Sequence, residues 1–136
     1  MKAKCTYSVK KWNESAYDEI IPGMKMTKAS VEYAFTGELE GKAAVEYLMF
    51  YSHVDEKDQH GSSAMYTGLI RFIGTVAGRS GSFVMSDNGT FEGGTASSMI
   101  RIADGSGTDG LRGIAGNGSY RADKDGCQFE MDYRLT

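Results

Sequence analysis

The run GTVAGRSGSFVMSDNGTF, Gly74–Phe91, decides between two architectures. Gly74 and Gly78, followed by Arg79 and Ser80, come close to a phosphate loop, which has the spacing G-x-x-x-x-G-K-[ST] and opens a helix. Here the glycines stand one residue too close, Arg79 occupies the lysine position, and SFVMS continues in strand spacing. Without a helix N-terminus the loop would lack the amide donors and the dipole that hold an anion. The glycines therefore serve the backbone. The stretch reads as two strands joined by a tight hairpin at Gly78 to Gly81, with a second hairpin signal at Asn88-Gly89.

Period-two alternation extends outward from this hairpin in both directions. CQFEMDYRL puts Cys127, Phe129, Met131, Tyr133 and Leu135 on one face and Gln128, Glu130, Asp132 and Arg134 on the other. KASVEYAFTG does the same with Val31, Tyr33 and Phe35, and CTYSVKKW with Cys5, Tyr7 and Val9. Such spacing means strands with one buried and one wet face. AAVEYLMFYSH and AMYTGLIRFIGTV are apolar on both faces, which predicts cover on both sides or an interface. Turn signals occur at GELEGK, HVDEKDQHGSS, ADGSGTDG and ADKDG, where Asp125-Gly126 marks a further hairpin. NESAYDEIIPG is either a helical turn or a strand extension, ended by Pro22. The count is about eight strands with no periodic helix between them, in one domain spanning 1–136.

With 136 residues, 40% hydrophobic and 24% charged, the chain suits a single globular core. A net charge of −3 without a basic stripe argues against nucleic acid as a partner. No apolar run reaches membrane-span length, and the basic start MKAKCTYSVKK lacks the apolar core of a signal peptide. Cys5 and Cys127 are too few for a disulfide framework, so free thiols and a cytoplasmic location are expected.

Motif matches elsewhere are weak. GSGTDG has dinucleotide-loop spacing, but the glycine-dense LRGIAGNG after it cannot be the helix that motif requires. It also matches one calcium nonapeptide, without the tandem copies that complete an ion shell. His53 and His60 flank Asp55, Glu56 and Asp58 in a loop better read as solvated than as a metal site. Among acids, Glu46 and Asp87 are the candidates for acid–base work, and neither has an identifiable partner histidine. No catalytic residue, metal or cofactor is assigned.

GTVAGRSGSF, SGTDGLRGIAG and EMDYRL, with FTGELEG and EYLMFY, resemble an uncharacterised bacterial domain-of-unknown-function family with an allene-oxide-cyclase-like, lipocalin-like barrel. The resemblance runs over nearly the whole chain. It implies an all-β, closed, mostly antiparallel barrel of about eight strands, in which the glycine strings form turns and corners. It carries no established reaction. The chain departs from the family pattern at Ile70, where relatives carry an acid, and at Asp87 and Gln128, where they carry histidines. The resemblance therefore assigns no catalytic role to those three positions.

A barrel of that size either fills with side chains or holds one small molecule. The expectation is a binding protein for a small apolar or amphipathic molecule. The alternatives are an isomerase or cyclase using the same cavity, or a structural module with a filled lumen. Strand parity nominates Tyr33, Phe35, Tyr66, Phe83, Met85 and Tyr133 as lining. Glu46 is the candidate orienting group, with Arg71 as its partner if His53 lies opposite Ala64; a plain cross-strand ion pair is the simpler reading of those two. The surplus apolar surface on the central strands predicts a homodimer, with NESAYDEII as an alternative cover.

Overall fold

A computed structural model describes every residue except Glu56, Asp58, Gln59, His60 and Thr136. Eight strands follow one another around a closed barrel: β1 (Lys2–Ile21), β2 (Met24–Gly37), β3 (Leu39–His53), β4 (Ser63–Val76), β5 (Arg79–Glu92), β6 (Thr95–Ile102), β7 (Ala115–Asp123) and β8 (Gly126–Arg134). Each pairs antiparallel with its sequence neighbours. β1 closes the ring on β8 with Ala3 opposite Met131 and Cys5 opposite Phe129. The closing pair runs over Lys2–Cys5 only; beyond it β1 is paired on its β2 side. The two thiols sit on these neighbouring strands, and the Cys127 Sγ–H donates to the Tyr7 carbonyl at 2.6 Å.

Parity holds along β2, β5 and β8. Val31, Tyr33 and Phe35 on β2, Phe83 and Met85 on β5, and Phe129, Met131 and Tyr133 on β8 all point inward and are buried. On β1 the bulge between Val9 and Lys11 transfers the inward set from odd to even positions, so that Trp12, Glu14 and Ala16 continue the inner wall. NESAYDEII is strand extension: it pairs with the start of β2 and does not cover β3 or β4.

Three local expectations are corrected. The central hairpin turns at Ala77-Gly78, not Gly78 to Gly81: Val76 pairs with Arg79, and both turn residues have positive φ, 49° and 83°. That is the two-residue turn whose twist matches its strands. Asn88-Gly89 is not a turn but lies inside β5, which runs on to Glu92 before turning at Gly93-Gly94. The last hairpin turns at Lys124-Asp125, one residue before Asp125-Gly126, because Asp123 pairs with Gly126.

The two ends of the barrel differ. At the end carrying the Ala77-Gly78 turn, the segment after β6 folds back along β5. The Thr108 N–H donates to the Ser82 carbonyl at 2.9 Å, and the Ala103 N–H to the Val84 carbonyl at 2.8 Å. A 3-10 turn, Asp109–Leu111, then drives Leu111 into the lumen, and Ile114 follows; both are fully buried. Above this plug the lumen is packed with rings. Phe35 meets Phe72 and Phe129 edge-on at 5.7 and 5.4 Å between centroids, and Phe72 lies 5.2 Å from Phe83. This half of the barrel is filled.

Candidate functional site

The other half is open. Among the described residues, a cavity of about 1010 Å³ lies at the end of the barrel that carries the β1–β2 and β5–β6 turns. Its upper wall carries Trp12, Met49, Ala64, Phe91 and Ala96, with Glu14 and Lys25 beside Tyr51. Glu14 accepts hydrogen bonds from Trp12 Nε1 at 3.0 Å, Thr27 Oγ1 at 2.7 Å and Tyr51 Oη at 2.8 Å, while the Lys25 ammonium lies 5.4 Å from the Tyr51 ring centre. The floor is built from Tyr7, Tyr33, Tyr47, Tyr66 and Tyr120, supplied by five different strands.

Beneath these phenols lies Asp87, 0% exposed. It continues the inward set of Phe83 and Met85 by one more step along β5. Tyr47 Oη donates to Asp87 Oδ2 at 2.7 Å, and Tyr120 Oη donates to the same oxygen at 3.1 Å. Tyr33 Oη and Tyr47 Oη are 3.2 Å apart; Tyr66 Oη lies 3.0 Å from Tyr120 Oη and 2.5 Å from Ser98 Oγ. Asp87 Oδ1 has no hydrogen-bond partner, and the Tyr7 hydroxyl has none among the described residues. Two glycines make room for this cluster. A Cβ on Gly68 would stand 2.7 Å from Tyr47 Cδ1, and one on Gly89 would stand 2.6 Å from Tyr66 Oη.

Charge is scarce here. Desolvation raises the Asp87 carboxyl above the usual carboxylate range, and the hydroxyls of Tyr47, Ser98 and Tyr120 offset part of that rise. Burial likewise raises Tyr7, Tyr33, Tyr47, Tyr66 and Tyr120 above the ordinary phenol range. An ionised carboxylate buried without a cation costs several kcal/mol, so the site favours a proton on Asp87. What the arrangement offers chemically is a connected row of hydroxyls between a solvent-accessible cup and a buried acid.

A family model for a protein of unknown function, DUF3224, matches residues 3–134. The chain belongs to the DUF3224 family. A crystal structure of a DUF3224-family protein of unknown function from Shewanella oneidensis MR-1 shares the fold with a TM-score of 0.81 at 23% identity, over 100% of this chain and 97% of that one. No curated protein matches.

Within this DUF3224 barrel the nominated residues divide into three groups. Tyr33 and Tyr66 stand on the cup floor. Phe35, Phe83, Met85 and Tyr133 point inward but belong to the packed half. Glu46 and Arg71 are outside the lumen altogether, exposed on the outer face. They are not opposite each other either: His53 pairs with Ser63, not Ala64, and a bulge between Tyr51 and His53 then sets Tyr51 against Ala64, so Glu46 faces Leu69 and Arg71 faces Ala44. Glu46 instead accepts from Ser30 Oγ at 2.7 Å. Of the other two departures from the family pattern, Ile70 is core and Gln128 is exposed. Among the described residues no cluster of His, Cys, Asp or Glu could hold a metal ion. Glu56, Asp58 and His60 of the nominated loop lie outside the described residues. No helix among the described residues is long and apolar enough to cross a membrane.

Reading the sequence alone missed Tyr7, Tyr47, Ser98 and Tyr120 as site residues and left Asp87 without a partner. The tyrosines carry the same signal as any core aromatic at strand spacing. Only the barrel's closure brings their hydroxyls to one point.

Proposed function

We propose that this protein binds one small amphipathic molecule end-on in the open half of the barrel. Its apolar body lies against Trp12, Met49, Phe91 and Ala96, and its polar head rests on the phenol floor. The observation that carries this reading is the division of the lumen into a filled half and a cup whose volume matches ordinary ligand cavities, roughly 300–1,000 Å³. A purely structural barrel has no use for a half-empty lumen floored with hydroxyls. Outside, Leu48, Met65, Leu69 and Ile73 leave an apolar stripe exposed on β3 and β4, and a second copy of the chain is its proposed cover.

The test uses the single tryptophan, Trp12, which stands on the cup wall. Titration with N-phenyl-1-naphthylamine is expected to quench Trp12 and saturate at one probe per chain. Ala96→Trp, which places an indole in the cup, is expected to weaken binding of the probe. Glu46→Gln, on the outer face, is expected to leave it unchanged. A probe that binds the Ala96→Trp variant as well as the wild type would refute the cup as the site.

A further inference from the structure

The hydroxyl row has a direction. Each phenol has one proton to give. Tyr47 gives its proton to Asp87 Oδ2, so Tyr33 must be the donor in the 3.2 Å contact with Tyr47. On the other side Tyr120 also gives its proton to Oδ2. With Asp87 ionised, the protons of Tyr33, Tyr47 and Tyr120 all point inward, and Tyr33 turns a lone pair toward the cup. A proton added to Asp87 can reverse the Tyr33 arm: Asp87 then donates to Tyr47, Tyr47 to Tyr33, and the Tyr33 proton faces the cup. Asp87 is reached from the cavity only through these hydroxyls, because it does not itself line the wall while Tyr33 and Tyr47 do.

We infer that Tyr33, Tyr47 and Asp87 form a proton relay that takes up the proton of a weak organic acid, a phenol or enol with an apolar body, bound in the cup. The step balances without an outside reagent. The ligand O–H breaks as Tyr33 Oη gains its proton. Tyr33 passes its own proton to Tyr47, and Tyr47 passes its own to Asp87. No electron pair leaves any oxygen, and one negative charge moves from Asp87 to the ligand oxygen. That oxygen then accepts from Tyr33, with the unpartnered Tyr7 hydroxyl as a second donor on the same floor; the Tyr7 and Tyr33 rings are 5.0 Å apart. The same complex forms when the ligand anion meets a protonated Asp87, so the final state does not depend on the starting one.

Three observations favour this direction of transfer. Asp87 is fully buried, whereas the cup is open to solvent, so charge is better placed on the ligand. No cation faces Asp87 among the described residues: around it stand the neutral hydroxyls of Tyr47 on β3, Tyr66 on β4, Ser98 on β6 and Tyr120 on β7, with Tyr33 on β2 and Tyr7 on β1 behind them, and their hydrogen bonds offset only part of the desolvation. Asp87 Oδ1 has no partner, so donors that favour the ionised form reach only Oδ2.

This inference rests on the cup being a binding site, and the experiment separates the two. The probe is 4-nitrophenol, whose solution pKa lies near neutrality and whose phenolate is yellow. In the wild type, bound 4-nitrophenol is expected to be phenolate at pH values where the free probe is not, an increase of about tenfold or more in its ionisation constant. An infrared difference spectrum between probe-bound and free protein, taken at alkaline pH, is expected to gain the C=O stretch of a protonated carboxyl that Asp87→Asn lacks. Tyr47→Phe cuts the relay and is expected to return the ionisation of bound probe to its solution value. If the wild-type probe stays neutral when bound, or no carboxyl band appears, the relay is wrong. If 4-nitrophenol does not bind while N-phenyl-1-naphthylamine does, the relay falls and the binding cup stands; if neither binds, both fall. Should Tyr47→Phe not fold, the wild-type infrared result alone decides.

Discussion

Asp87→Asn measures the electrostatics of the buried site without any ligand. The native carboxyl is fully buried, takes two phenol donors on one oxygen and none on the other. Burial raises its proton affinity in the folded chain above that in the unfolded chain. The folded state therefore binds more protons than the unfolded state as soon as pH exceeds the ordinary carboxylate value of about 4. Stability is fully present below that value. It falls as pH rises toward the raised folded value, by up to about 1.4 kcal/mol per pH unit for one proton, and then levels off. Asparagine cannot ionise and has no such slope. Its carbonyl can still accept from Tyr47 and Tyr120, but its amide takes the place of an oxygen that has no partner. Unsatisfied buried N–H groups cost about 1–3 kcal/mol. The variant is thus expected to be less stable than wild type by about that amount near pH 4, with the gap closing as pH rises. Urea unfolding at a series of pH values, read by circular dichroism, measures both curves. A difference that does not change with pH would refute the reasoning, and so would one that widens in favour of wild type at higher pH.

Other expectations follow from the same packing. Tyr7, Tyr33, Tyr47, Tyr51, Tyr66 and Tyr120 are raised by burial, so their stabilising effect is lost as pH climbs past the unfolded phenol value of about 10. Their phenolate absorbance should appear in one cooperative step with alkaline unfolding; a rise to the full absorbance of all eight tyrosines ahead of the loss of circular dichroism would contradict it. Gly89→Ala places a methyl group 2.6 Å from Tyr66 Oη and should cost about 1–3 kcal/mol in denaturant unfolding, where an ordinary surface substitution costs little. Light scattering at micromolar concentration should give twice the chain mass, and Leu69→Lys on the outer stripe should halve it; a wild-type monomer would rule out the second copy.

How far the sequence discloses this molecule depends on the range of the interaction concerned. Parity is local, and it places Tyr33, Phe35, Phe83, Met85 and Tyr133 inside the barrel without any knowledge of partners. The same rule, extended one step from Met85, reaches Asp87. Reading Asn88-Gly89 as a turn stopped it there. That turn signal loses to register because Thr90 and Phe91 continue pairing with both β4 and β6, Glu92 pairs with β6, and Gly93-Gly94 supplies the reversal. Gly89 serves the interior instead, by leaving space for the Tyr66 hydroxyl. Register between β3 and β4 is a longer-range property. His53 pairs with Ser63 where Ala64 was expected, and the bulge between Tyr51 and His53 adds a second residue, so Glu46 lies two positions from Arg71; parity survived the even slip and both stayed on one face. The distinction between a filled barrel and an open one is longer-range still. It depends on where Leu111 and Ile114 end up, and they sit in a segment with no period to read. Their burial at one end packs the rings of Phe35, Phe72, Phe83 and Phe129 into a closed half. The opposite end has no such plug among the described residues, so the tyrosines above the packed rings remain reachable. The feature that most favours a binding role is therefore set by a glycine-rich loop on the far side of the barrel from the cup.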